Sequence, residues 1–176
     1  NFLGKLSSFL SIGYAIPGLI LAVGITRFLV FADRNIFSDL DFVITGSLVG
    51  LVLAYIIKSY ALANSSIDSG YERISNSIDN SARLLGARGS ILLGKVHFPL
   101  MKTSFLTAIL LVTSEVVKEL PATLILRPFN FDTLAVVTYT YAAEERMYQA
   151  AMPSLAIVLI GIVPLIFLSK MIRSSR

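Results

Sequence analysis

The side chains best suited to chemistry cluster in one stretch of the chain. Glu115, Lys118 and Glu119 fall close together, and Tyr139, Tyr141 and Tyr148 follow. On one helix Glu115 and Glu119, four apart, share a face with Lys118 beside them. Carboxylate and phenolic oxygens are hard donors that suit a hard cation. The same three charges serve equally well as an ion-paired helix end, and this second reading is preferred, so no metal site is expected. His97 is the sole histidine. It sits beside Pro99 at the edge of an apolar run, where an interfacial or packing role is expected, and no Ser-His-Asp set can form in an aqueous cleft around it. The chain has no cysteine, hence no thiol nucleophile, thiolate metal site or disulfide. It also lacks a Gly-x-x-x-x-Gly-Lys-Ser/Thr loop, so ATP is not bound here through a P-loop. No catalytic residue and no cofactor is expected, and any energy source must lie on another subunit.

The elements that carry these residues are set by composition. Apolar residues make up 55% of the 176 and charged residues only 15%, against about 25% charge in a soluble domain. Mean hydropathy is +0.77. The uncharged runs are 6–26, 42–57, 103–114 and 147–169. A helix needs roughly 20 apolar residues to cross the bilayer core. The first and last runs meet that length. The second reaches it if Lys58 snorkels and Ser59 to Ala63 extend the helix, and the third if its helix begins near Val96. The expected fold is all-α: a polytopic transmembrane bundle of about four spans, forming one domain over 1–176. A short re-entrant or interfacial helix is expected at Thr133 to Ala143. Span centres are expected to be free of catalytic charge.

With four spans the two termini share a side. That side holds Lys5, the loop from Lys58 to Lys102, and Lys170, Arg173 and Arg176, which is 10 of the 15 basic residues. The other side holds loops 27–41 and 115–146, with 8 of the 11 acidic residues. The positive-inside rule then puts both termini and the 58–102 loop in the cytoplasm. Topology accounts for the net charge of +4, so nucleic-acid binding is not expected. The lipid bilayer is the expected surrounding.

Residues 1–5 read as a lead-in. Pro17, within Gly13 to Gly18, removes a backbone donor and should kink or break the first span. Gly46 and Gly50 are spaced as a small-residue pair for helix packing in the second. The cytoplasmic loop, 64–98, is too long for a plain connector. Its Ile74, Ile78, Ala82 and Leu85 fall on one helix face. Ser75 or Ser77 can cap that helix, and Gly86 can end it in the left-handed conformation. Ser90 can open a second helix that leads through Pro99 into the third span. Gly161 and Pro164 lie in the fourth span, expected from about Pro153 to Leu168.

The loop also carries a longer pattern: Asn80-Ser81-Ala82, three residues, Gly86, nine residues, Val96, one residue, then Phe98-Pro99. This resembles the cytoplasmic signature of binding-protein-dependent ABC importer permeases: Glu-Ala-Ala, three residues, Gly, nine residues, Ile, one residue, Leu-Pro. Ala82, Gly86 and Pro99 match in identity. Val96 and Phe98 are apolar replacements. Asn80 stands where the family has an acid, with Asp79 just before it, and Ser81 replaces an alanine. The resemblance implies a MetI-like permease whose loop docks a dimer of ABC ATP-binding subunits. Ile78, Ala82 and Leu85 would supply packing area, Ser81 close approach, and Arg83 and Arg88 polar contacts at the rim. Helix-in-groove docking is a recurrent mode of recognition.

A second stretch, Glu115 to Leu124, then Leu126-Arg127-Pro128-Phe129 and Phe131 to Ala135, is similar to the ferric-iron permeases of that group. This implies an inner-membrane importer for ferric iron, delivered by a periplasmic solute-binding protein. Members commonly join two halves in one polypeptide. The chain, which starts at Asn1, is therefore expected to be a C-terminal half that works with an N-terminal half or second permease domain. Glu115, Lys118, Glu119, Pro121 and Arg127 are the expected path or gate residues. Arg127 and Asp132 can pair across the Pro128–Asn130 turn, or meet the binding protein. Another cargo (polyamine, thiamine, phosphonate or an anion) stays open, as do a membrane scaffold and an intramembrane enzyme.

Overall fold

The computed structural model of the chain describes residues 11–38 and 43–174. The lead-in 1–5, the start of the first uncharged run at 6–10, Asp39 and Asp41 of the acidic loop, and Arg176 lie outside the described residues. Every regular element among the described residues is helical. In order they are α1 (Gly18–Asn35), α2 (Leu48–Tyr71), α3 (Asn76–Leu84), α4 (Gly89–Val117), α5 (Pro121–Leu126), α6 (Leu134–Ala143) and α7 (Met147–Ser174). Among the described residues three helices, α2, α4 and Met147–Phe167 of α7, are long and apolar enough to cross a membrane. Little of each is covered by the rest of the chain, with 22%, 11% and 11% of their apolar windows buried. The architecture is an all-α membrane bundle.

The expected first span is not one helix. Pro17 breaks the run rather than kinking it: Gly13–Ala15 form a 3-10 turn, and α1 starts afresh at Gly18 with Pro17 as its N-cap. The rigid φ of proline suits that entry, and its missing N–H costs nothing there. The new helix runs on through Arg27, Asp33 and Arg34, so it is less apolar than the run 6–26. Its buried face is Gly18, Ala22, Ile25, Leu29 and Ala32, the spacing of one helical stripe.

Two compact units divide the chain. One takes the described residues of Asn1–Ala61 together with Ser114–Val163. Its core joins Ala22, Ile25 and Leu29 of α1, Leu51 and Ala54 of α2, and Ala122 and Leu126 of α5. Gly50 lies in that seam, where a Cβ would stand 2.8 Å from Leu29 Cδ1. Gly46 does not join it as a helix-packing partner. It has φ +80 in the turn before α2, a conformation glycine adopts without strain. Asp33 closes the same turn, accepting from Ile44 N–H at 2.9 Å and Thr45 N–H at 2.8 Å.

The other unit takes Leu62–Thr113 and the described residues of Pro164–Arg176. Helix α2 continues to Tyr71, so residues 64–71 of the expected loop are helix. Lys58 is consequently well inside α2 and not at the end of a span. In α4 a π turn, Leu93–His97, stands directly before Pro99, and Phe98 N–H donates to Leu93 O across it. Proline offers no N–H to the carbonyl four residues back and crowds it. A π turn relieves that crowding without ending the helix. Ser90 is not the opening residue: α4 begins at Gly89 with Arg88 as N-cap.

Candidate functional site

The loop pattern folds as the spacing predicts at its end and differently at its start. Gly86 has φ +88, and its N–H donates to Arg83 O at 3.0 Å. Ala87 N–H donates to Ala82 O at 2.9 Å. This pair of bonds is a Schellman ending, which satisfies carbonyls that the last turn leaves free. Ser75 occupies the N-cap, but its hydroxyl pairs with Ser77 Oγ at 2.8 Å and caps no backbone donor. Ile74 and Leu85 flank α3 and are not part of it, so the apolar stripe shrinks to Ile78 and Ala82. No residue of α3 is buried, and Leu84 and Leu85 are 88% and 89% exposed.

One polar contact ties this helix down. Asp79 Oδ1 meets His97 Nε2 at 2.5 Å. His97 is buried at 5% exposure, and Tyr71 packs edge-on against its ring with centroids 5.3 Å apart. Its Nδ1 has no protein partner. Arg83 Nη2 stands 3.7 Å from the other carboxylate oxygen of Asp79. The His97 hydrogen bond holds the Asp79 carboxyl below its ordinary value of 3.8; partial burial works against this, and the charges of His97 and Arg83 add to it. The packing role expected of His97 is present, and its partner, 18 residues away, was not legible from spacing. Val96 and His97 lie in the π turn, and Phe98 and Pro99 open the α-helical segment that follows. Asn80, Ser81 and Arg83 face outward on α3.

The path residues do not form one group. Glu115 pairs with Lys118 at 3.0 Å. Lys118 and Glu119 both lie beyond α4, which stops at Val117, so the three do not share one helix. Glu119 turns inward, 7% exposed, and receives Lys58 Nζ at 2.6 Å. Its other oxygen accepts from Ala122 N–H at 3.2 Å, at the start of α5, where Pro121 is the first residue. Thr123 Oγ1 donates to Glu119 O at 2.8 Å and lies 2.7 Å from Tyr55 Oη. Gly18 makes room, since a Cβ there would stand 2.7 Å from Glu119 Oε1. Lys58 is thus drawn into a pair with Glu119, and the interior of helix α2 carries a charge. The sequence reading missed this pair because charge counting put Lys58 and Glu119 on opposite sides. Arg127 and Asp132 pair across the expected turn, and Arg127 also donates to Phe131 O at 3.3 Å. A 370 Å³ hollow is lined there by Leu124, Arg127, Pro128, Phe129, Asn130 and Asp132. The tyrosines do not gather at the carboxylates: Tyr148 is 90% exposed, and Arg146 stacks 4.8 Å over the Tyr141 ring.

Comparison with known proteins adds an independent line. The chain is 25% identical over 158 residues to the Fe(3+)-transport system permease protein FbpB 2 of Haemophilus influenzae, covering 89% of this chain and 29% of that protein. It is 28% identical over 172 residues to a protein of Salmonella typhimurium named as a 2-aminoethylphosphonate transport system permease, PhnV, covering 98% of this chain and 62% of that protein. A PhnV of Salmonella choleraesuis matches equally. Its homologues are ABC-type permeases. No family model matches the chain. The chain spans less than two thirds of the length of these permeases, at 29% and 62%. The alignment with PhnV takes in nearly the whole chain, so the loop around α3 and the Lys58–Glu119 cluster both belong to the part shared with permeases.

Proposed function

We propose that the chain forms part of the membrane permease of an ATP-driven importer in a bacterial inner membrane, with α3 as the element that docks separate ATP-binding subunits on the cytoplasmic side. The carrying observation is the shape of the motif-bearing loop. A nine-residue helix stands free of any core, its closing glycine at φ +88 occupies the motif's glycine position, and an apolar 29-residue helix follows. An exposed helix with Leu84 uncovered at its end, and Leu85 just beyond it, suits insertion into a groove of a partner. Closure of the partners on ATP would move α3, and a loaded solute-binding protein would deliver cargo from the other side. Termini facing the cytoplasm and a second permease half completing the path belong to this reading.

The finer reading is ferric iron as cargo, supported by the resemblance of Glu115 to Ala135 to iron permeases and by the Haemophilus relative named for Fe(3+) transport. A 2-aminoethylphosphonate cargo is favoured instead by the 98% coverage against PhnV. The test uses the full-length protein with its ATP-binding subunit and binding protein in proteoliposomes. Binding-protein-stimulated hydrolysis is measured together with uptake of labelled ferric iron and of 2-aminoethylphosphonate. Gly86→Asp is expected to abolish assembly and uptake, and unchanged assembly sinks the docking reading. Uptake of the phosphonate without iron sinks only the iron reading.

A further inference from the structure

We propose that the Asp79–His97 contact is the tie through which movement of the docking helix is handed to α4, which makes His97 a positioning residue for transport. The proposal rests on the docking reading of α3. A nine-residue helix with no buried residue is not held by packing, and short helices owe most of their stability to tertiary contacts. Apart from the short backbone links at its two ends, 72–75 and 85–88, a side-chain contact is what can couple its displacement to a neighbouring helix. Among the described residues, Asp79 to His97 is the one side-chain hydrogen bond that links α3 to another helix; its other side-chain bonds are Arg83 to Asp79, within the helix, and Ser75 to Ser77 at its start.

The far end of the tie is buried and packed. His97 closes the π turn, is 5% exposed, and is braced by the Tyr71 ring at an interplanar angle of 85°. Beyond it, Phe98 packs on Phe105 with centroids 5.1 Å apart along α4. A directional hydrogen bond on a carboxylate resists pulling as well as pushing. Apolar contacts of α3 are not directional in this way. Besides the backbone link 85–88, pulling on α3 thus reaches α4 through one side chain, His97.

The test separates docking from transmission. His97→Phe keeps an aromatic ring against Tyr71 and removes the donor, whereas His97→Gln keeps a donor. In the full-length complex, His97→Phe should co-purify with the ATP-binding subunit and retain basal hydrolysis. Its uptake of ferric iron or 2-aminoethylphosphonate, whichever the wild type carries, should fall roughly tenfold, the effect of losing a hydrogen bond to a charged group. His97→Gln should stay within about twofold of wild type, since it can still donate to Asp79. A paired Asp79→Cys and His97→Cys variant gives a second readout, because these 176 residues contain no other cysteine. Bridging the pair with a short bis-maleimide should restore its uptake. Wild-type uptake by His97→Phe overturns the proposal. So does joint loss of assembly, hydrolysis and uptake that neither His97→Gln nor the bridge restores. Docking is scored separately by cross-linking Leu85→Cys to the ATP-binding subunit. If no cross-link forms in an otherwise wild-type chain, docking falls and the tie falls with it. If the cross-link forms and His97→Phe transports normally, the tie alone is wrong.

Discussion

Glu119 and Asp79 each meet a basic side chain far away in sequence, Lys58 at 2.6 Å and His97 at 2.5 Å. Their surroundings differ. The Glu119 carboxylate has a second donor in Ala122 N–H, a glycine beside it for clearance, and a core of α1, α2 and α5 around it. Asp79 stands on a helix with no buried residue, and its contact is the anchor of that helix. The first pair is one bond among many that fix a junction. The second is a single side-chain bond between a helix with no buried residue and a buried side chain of the helix that follows it. An acid inside a packed junction resists change, whereas an acid at the edge of a loop can transmit it.

The comparison breaks most sharply at Glu119. Glu119→Ala leaves Lys58 in a largely buried site, and removing one member of a buried pair costs about 3–5 kcal/mol. A large drop in melting temperature in detergent should follow, with most of it recovered when Lys58→Met is added. If the double variant is as unstable as the single, the pair is not the source of the loss. Gly18→Ala comes next. Its Cβ would press on Glu119 Oε1 at 2.7 Å and Lys58 Nζ at 3.3 Å, and overpacking of this kind costs about 1–3 kcal/mol. The readout is the same melting curve, and an unchanged midpoint would show that the junction yields.

On the loop the effects are smaller and local. Gly86→Ala meets nothing within 4 Å, so its cost is the backbone strain of φ +88 alone, about 1–2 kcal/mol. Faster amide exchange in α3 with an unchanged melting curve is expected, and a global loss would mean that α3 is more than an appendage. The last test is pH. Asp79 has its folded value held below 3.8. The stabilisation from its His97 contact is therefore present above about 3.8 and lost as pH falls through the depressed folded value. Exchange protection of α3 should collapse in that acid range and not between pH 5 and pH 8 on account of Asp79. Retained protection well below the range would show that other contacts hold the loop.

What the sequence made legible follows from local chemistry. Gly86 was readable because one residue type dominates a left-handed helix ending. The helix at Leu134–Ala143 was readable from its length and from Thr133 before it, whose Oγ1 accepts from Val136 N–H at 3.4 Å. Pro17 was readable as a disturbance, but kink and break differ by tertiary context and not by residue type. The Lys58–Glu119 pair was hidden for a stronger reason. Its members are 61 residues apart, and counting charges by side treats each long uncharged run as a whole span. Once α2 extends to Tyr71, Lys58 is interior and needs a partner. The Asp79–His97 contact was hidden because the π turn shifts His97 out of the phase that a regular helix would give it.

That π turn has a consequence for anyone aligning or editing this chain. A π turn accommodates one residue more than the α-helical repeat on either side of it, and each α-helical residue advances the wheel by about 100°. A helical wheel drawn straight through Gly89–Val117 therefore slips by one position across Leu93–His97, and must be restarted at Phe98. Deleting a single residue from the π turn at Leu93–His97 would therefore leave a regular helix whose two parts keep their faces, whereas a deletion in the α-helical stretch after Phe98 would swing one part against the other by about 100°.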